Sequence, residues 1–265
     1  MLLFATMTGE TGAAPAATAG DQASAVALMA RLRGGVGDTP GCWWWSGRVY
    51  GRRPGEIARL LLTVTGVGFS RFTPAADGSW QFAMSEAGFY ADPESGEFLR
   101  EWQNPYTGAK LQPPPNRLVL RYRIEADGRI VPPFPVSAPG MAFDGHIGPV
   151  TEQGDTLWVG ERLMANFPAP PPGAKPMGPT GNAVEFSSFV GRRADVLNRA
   201  LVFCPATMHH QAAWPFYEWL GMGAATGDIF TDIAGRKLAT PDELPTALRE
   251  RIEQAHPGLL AAPGI

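Results

Sequence analysis

Cysteine is scarce in this chain: Cys42 and Cys204 are the only two among 265 residues. They lie far apart and show no CxxC or CxxH spacing, so neither a zinc knuckle nor a redox dithiol is indicated, and both are expected as buried free thiols. Charge is also sparse. Lys, Arg, Asp and Glu make up 18% of the residues and the net charge is −3, so there is no basic footprint for a nucleic-acid backbone. No stretch approaches 18 uninterrupted apolar residues, so no segment reads as a membrane span. Three signatures are missing as well: a G-x-S-x-G elbow, a P-loop, and a G-x-G-x-x-G opening a βαβ unit. Hydrolase, nucleotide and dinucleotide readings therefore have no support, and no cofactor is expected.

Glycine and proline, by contrast, are abundant. The 32 glycines and 26 prolines exceed a fifth of the chain, which argues against a helical bundle and for many turns. Residues 1–20 read as a leader outside the fold, with one domain over 21–265. The apolar start, Met1 to Met7, lacks the charged region of a signal peptide, so the cytoplasm is the expected compartment, with periplasmic export as the alternative. Asp21 is placed to cap a helix whose Ala25, Val26, Met29 and Leu32 follow helical spacing, with Gly34-Gly35 as its stop. From Trp43 onward short apolar runs recur between Gly, Pro, Asp and Asn clusters, as in consecutive antiparallel strands.

The clearest strand is Arg117–Ile124, where Leu118, Leu120, Tyr122 and Ile124 alternate with Arg117, Val119, Arg121 and Arg123. It ends at an Asp127-Gly128 turn. Residues 60–72, 79–90, 97–102, 156–163 and 184–190 read as further strands, with Asp77-Gly78 turning the first into the second. The pattern predicts a mainly β fold, either a calycin-like antiparallel β-barrel or a two-sheet meander, with a helix at each end; the barrel is favoured because closure removes exposed edges. Pro-rich segments at 113–115, 132–135 and 167–181 read as loops, the last as a lid or a packed strap. Near the C-terminus, Thr240-Pro-Asp-Glu243 is a capping box ahead of a Leu244, Leu248, Ile252 stripe, with Pro257-Gly258 as the stop.

Two blocks carry a family resemblance. Tyr90-Ala-Asp92-Pro93-Glu-Ser95-Gly96-Glu97-Phe-Leu99-Arg-Glu-Trp102-Gln-Asn104-Pro105-Tyr-Thr-Gly108 is similar to the Y-x-D-P-x-T-G-E-x-L-x-x-W-x-N-P-x-T-G block of domain-of-unknown-function family 1838, found in bacteria and fungi. Trp214-Pro215-Phe-Tyr217-Glu218-Trp219-Leu-Gly-Met222-Gly223-Ala-Ala-Thr-Gly227 resembles its P-W-x-x-W-M-x-M-G-x-x-x-G segment, and residues 47–56 resemble its opening strand. Ser95 stands for the usual Thr, and Trp214-Pro215 reverses the usual order. The resemblance implies a fold over roughly residues 45–257 and transfers no chemistry.

Turn chemistry accounts for Asp92, Gly96, Asn104 and Gly108, which leaves Tyr90, Glu97 and Trp102 free for other work. Trp214, Phe216, Tyr217, Glu218 and Trp219 supply apolar walls, a phenol and a carboxylate, the ingredients of a pocket for an aromatic ligand; the alternative is a core cluster. Strand alternation allows at most one of His209 and His210 to face an interior, which opposes a metal site built on the pair. Asp144 and His146 share one face of an extended segment, without a supported ligand spacing. Arg121, with Arg117 and Arg123, could hold a carboxylate or phenolate, or form a solvated face. Trp43-Trp44-Trp45 reads as packing.

The reading that follows is a cofactor-independent lyase or isomerase acting by acid–base chemistry on a hydrophobic, aromatic small molecule. Glu218, Tyr217 and one of His209 or His210 would handle protons; Trp102, Trp214, Tyr90 and Arg121 would bind substrate. The alternative is a non-catalytic carrier of such a ligand.

Overall fold

The computed structural model describes residues 19–35, 39–132, 140–168, 180–222 and 226–265, with side chains from Ala25 onward. The expected leader up to Thr18, and most of the Pro-rich segments at 132–135 and 167–181, lie outside the described residues. After helix α1 (Ala19–Arg33) come strands β1 (Gly41–Arg52), β2 (Arg59–Pro74) and β3 (Trp80–Ala91). A small hairpin, β4 (Trp102–Gln103) and β5 (Lys110–Leu111), precedes β6 (Asn116–Ile124). There follow β7 (Ala142–Gln153), β8 (Thr156–Phe167), β9 (Gly181–Arg192), a short helix α2 (Arg193–Leu197), β10 (Thr207–Pro215), β11 (Asp228–Leu238) and helix α3 (Thr246–Ala255).

The nine long strands form one antiparallel sheet in the order β6-β3-β2-β1-β11-β10-β9-β8-β7. It is two meanders joined where the ends of the chain meet: β1 pairs with β11 from Cys42–Leu238 to Arg52–Asp228. The sheet curls into a half-barrel. Its outer edges approach at one end, where Val131 N–H donates to the Arg123 carbonyl and Ile130 N–H to the Gly145 carbonyl, each at 2.8 Å. The barrel expectation is thus met by a single curled sheet rather than two packed ones.

The concave and convex faces bury different things. On the concave side α1 packs against β2, β7, β8 and β9. Its Ala25, Val26, Met29 and Leu32 are each at most 1% exposed, in a core with Trp43, Phe82, Tyr122, Ile147 and Phe189. The helix begins at Ala19, so Asp21 lies in its first turn rather than ahead of it. Trp43 Nε1 (2.7 Å) and Ser70 Oγ (2.9 Å) both donate to the Arg33 carbonyl, and Lys237 Nζ donates to that of Arg31 (2.9 Å), so the helix end is fixed to β1, β2 and β11. Burial pulls Lys237 down to about 8.

On the convex side Leu248 and Ile252 of α3, with Leu244 just ahead of it, cover Val67, Phe69, Ala87 and Phe89. The capping box closes only a 3₁₀ turn at Pro241–Glu243, where the Glu243 carboxylate accepts the Ala239 and Thr240 N–H groups. The helix proper starts after Pro245, because proline drives the preceding Leu244 into an extended conformation. Cys42 and Cys204 are buried free thiols, and burial pushes Cys42 up to about 12.

The run 97–102 is not a continuous strand. Asp92 Oδ1 accepts the Glu94 and Ser95 N–H groups (3.0 and 2.7 Å), the chain turns at Gly96 (φ 75°), and Phe98 makes one bridge to Ala91. Only Trp102–Gln103 is extended, against β5. The Asp92 and Ser95 side chains already accept the N–H groups of Glu94, Ser95 and Glu97, so little ladder is left to form.

Candidate functional site

The concave face encloses a cavity of about 1000 Å³ between the α1 end of the half-barrel and the Trp214–Trp219 segment. Its walls are mainly aromatic and aliphatic, with a few polar groups converging on the space, as in small-molecule sites. Alternation places each wall: Met84, Glu86 and Tyr90 from β3, Glu161 and Leu163 from β8, Glu185 and Ser187 from β9, and His210, Ala212 and Trp214 from β10.

Trp45 is seated by glycine. A Cβ at Gly66 would lie 2.3 Å from the Trp45 ring and equally near the Ala87 carbonyl oxygen, and one at Gly88 would lie 2.7 Å from the same indole. Gly66→Ala should therefore displace the ring and cost about 1–3 kcal/mol by overpacking, read as a lower urea midpoint and a changed tryptophan emission. An unchanged midpoint would show that the indole is not held there.

At the α1 end the polar groups form a buried network. Arg33 Nη1 lies 2.7 Å from Glu161 Oε2, and Tyr122 Oη donates to Glu161 Oε1 at 3.0 Å. The guanidinium also stacks over Phe82 (4.5 Å) and Phe189 (5.1 Å). Burial, reinforced by Glu161, holds the Tyr122 phenol well above its ordinary value.

Further along the wall, Trp214 Nε1 donates to Glu185 Oε1 at 2.8 Å, and His210 Nδ1 meets Ser187 Oγ at 2.9 Å. Burial lifts Glu185 to about 7, with Glu161 and Glu86 adding to the effect and the Trp214 bond opposing it. Burial pulls His210 down to about 4. Near neutral pH, then, the wall offers a carboxyl poised between its two forms and an uncharged imidazole.

The mouth is built by the two sequence blocks together. Asn104, fully buried, donates through Nδ2 to the Leu220 carbonyl (2.6 Å), while its Oδ1 accepts the Tyr106 N–H (2.7 Å). Trp219 packs on Tyr90 (5.0 Å between centroids) and on Trp102 (5.8 Å), and Phe216 faces Tyr106 (6.2 Å). Asn104→Ala strips a buried carbonyl and two turn donors of their partner and should cost about 1–3 kcal/mol. Amide exchange at residues 216–222 should rise in that variant; unchanged protection would separate Asn104 from the mouth.

Of the residues singled out from the sequence, His210, Tyr217, Tyr90 and Trp214 line the cavity. Burial lifts Tyr90 to about 12 and Tyr217 further. Glu218 lines it too, but from the exposed mouth. His209, one residue out of phase with His210, lies on the outer face, 2.7 Å from Asp232. Arg121 is exposed on the outer face of β6, because its inward neighbours there are Leu120 and Tyr122. Trp102 is buried beneath the mouth, against Trp219, and does not line the cavity. Asp144 pairs with Arg162 at the surface. Among the described residues no three His, Cys, Asp or Glu side chains gather so as to hold a metal ion, and no helix is long and apolar enough to cross a membrane.

Arg33, Glu86, Glu161 and Glu185 were not expected. For the three glutamates the signal is a charged residue on the same strand face as apolar ones, as Glu161 stands between Val159 and Leu163.

Fold and site together define a curled antiparallel sheet that encloses an aromatic cavity. Residues 39–264 match the model of a protein family of unknown function, DUF1838, and the chain belongs to that family. No curated protein matches the chain. Among solved structures it is similar to one described as the crystal structure of Rv2717c from M. tuberculosis, at 13% identity over 81% of this chain and 98% of the other. The TM-score is 0.27, too low to carry an argument.

Proposed function

We propose that this protein is a cofactor-independent enzyme of the lyase or isomerase type that moves protons on a hydrophobic, aromatic small molecule within the cavity. The observation that carries this reading is the Glu185 carboxyl, held by the Trp214 indole beside the His210–Ser187 pair on the wall of a large aromatic cavity. A general acid–base group works best when its pKa lies near the working pH, and Glu185 at about 7 meets that condition. Ionised Glu185 would take a proton from one position of the ligand and return it at another, while neutral His210, held by Ser187, offers a hydrogen bond beside it. Tyr90, Tyr217 and Trp214 would orient the aromatic frame, with Glu218 at the entrance.

The test is incubation with a panel of phenolic, terpenoid and polyketide metabolites, read by mass-resolved chromatography against a boiled control. A reproducible mass change or isomer shift is expected. One observation favours the carrier reading instead: Arg33, Tyr122 and Glu161 satisfy one another, as in a static host. Recovery of a bound but unaltered panel compound would support that reading and overturn the enzymatic one.

A further inference from the structure

Among the described residues that line the cavity, four carboxyl groups, those of Glu86, Glu161, Glu185 and Glu218, stand against one guanidinium, Arg33, which is already paired with Glu161. Glu185 has the Trp214 indole as partner, whereas the Glu86 carboxyl has no hydrogen bond from any described residue. Glu86 is enclosed by protein and reachable from the cavity, and burial raises its pKa, with Arg33 and Arg117 opposing at longer range. Arg117 donates to the Glu86 and Leu118 carbonyls from the exposed side of β6.

Glu86 is half-buried and opens onto the cavity, so its carboxyl is left to water or a ligand to satisfy, and a purely structural position on a mainly apolar wall would be better filled by an apolar side chain. Its surroundings suit a ligand. A Cβ at Gly68 would lie 3.9 Å from Glu86 Cβ and 3.7 Å from Trp45 Nε1, so the stem of Glu86 and the edge of the indole flank an open patch of backbone. The Trp45 N–H likewise has no partner among the described residues. Tyr90, two positions from Gly88 on the same strand face, continues the aromatic wall to Trp219. A carboxylate beside aromatic faces in a water-poor cavity favours an organic cation through ion pairing and cation–π attraction.

We infer that the ligand of this cavity is a hydrophobic amine whose ammonium group pairs with Glu86 beside the Trp45 indole. This rests on the proposed function and adds its substrate class. It also gives the Gly66–Gly68–Gly88 patch a role, since side chains there would occupy the space of the indole and the ammonium.

The test uses one aromatic frame with three headgroups: 1-naphthylmethylamine, 1-naphthylmethanol and 1-naphthoate, titrated calorimetrically against the full chain near pH 7. The amine should bind at least about tenfold tighter than the alcohol, the gain expected for a hydrogen bond to a buried charge, with the acid weakest. In Glu86→Gln the amine should fall to the affinity of the alcohol while alcohol binding stays unchanged, which also shows that the cavity is intact. Equal affinity of amine and alcohol for the unaltered protein would overturn the inference without any variant and leave the cavity reading standing. So would an amine preference that survives Glu86→Gln. Binding of none of the three would overturn both.

Discussion

Replacing Arg33 with methionine should destabilise the protein by about 3–5 kcal/mol, because it leaves a buried carboxylate without its counter-charge. Arg33 Nη1 is 2.7 Å from Glu161 Oε2, with side-chain exposures of 12% and 5%, so both charges are largely withdrawn from bulk water. The stacking on Phe82 and Phe189 is lost in the same step. Glu161→Gln should rescue most of the loss in the double variant: the amide needs no counter-charge and its oxygen still accepts from Tyr122. Urea unfolding of the four members of the cycle checks this. Additive losses, or a single-variant loss under about 1 kcal/mol, would mean that the pair is not coupled.

The second large effect is in the pH dependence of stability, where Glu185 and His210 oppose each other. Glu185 rises from an ordinary 4.5 to about 7, so its contribution is full below 4.5 and is lost as pH rises through 7. His210 falls from 6.5 to about 4, so its contribution is present above 6.5 and is lost as pH falls through 4. Each shift corresponds to about 3 kcal/mol, and over the shared window the two largely cancel. Single variants should uncover them. Relative to the unaltered protein, Glu185→Gln should gain about 3 kcal/mol between pH 4 and pH 8, and His210→Gln should lose a similar amount over the same range. Denaturant midpoints at five or six pH values decide it, and flat differences for both variants would remove the perturbed groups from the account.

Much of the scaffold was legible because strand and turn chemistry is local. Leu118 to Ile124 alternate as expected, Gly78 and Gly128 take the positive φ of their Asp-Gly turns, and the α1 and α3 stripes are buried. The candidate site was less legible, for a physical reason. On β9 the cavity-facing residues include Glu185 and Ser187, while Phe186 on the opposite face is 48% exposed, so hydrophobic alternation points the wrong way. A wall that must offer polar groups to a ligand loses the signal that marks a core face. The pairing of β1 with β11, which curls the sheet, joins segments too distant in sequence for any local pattern to record. The meeting of Asn104 with Leu220 is likewise a tertiary fact, although both residues lie in blocks that stood out on their own.

The most direct test of the account is the rate at which Glu185→Gln converts a panel compound that the unaltered protein transforms, with the affinity for that compound measured alongside. Loss of a positioned acid–base group should lower the rate by about 100-fold or more while affinity changes little. Conversion at the unaltered rate by the folded variant, or failure of the unaltered protein to transform any compound it binds, would contradict the account.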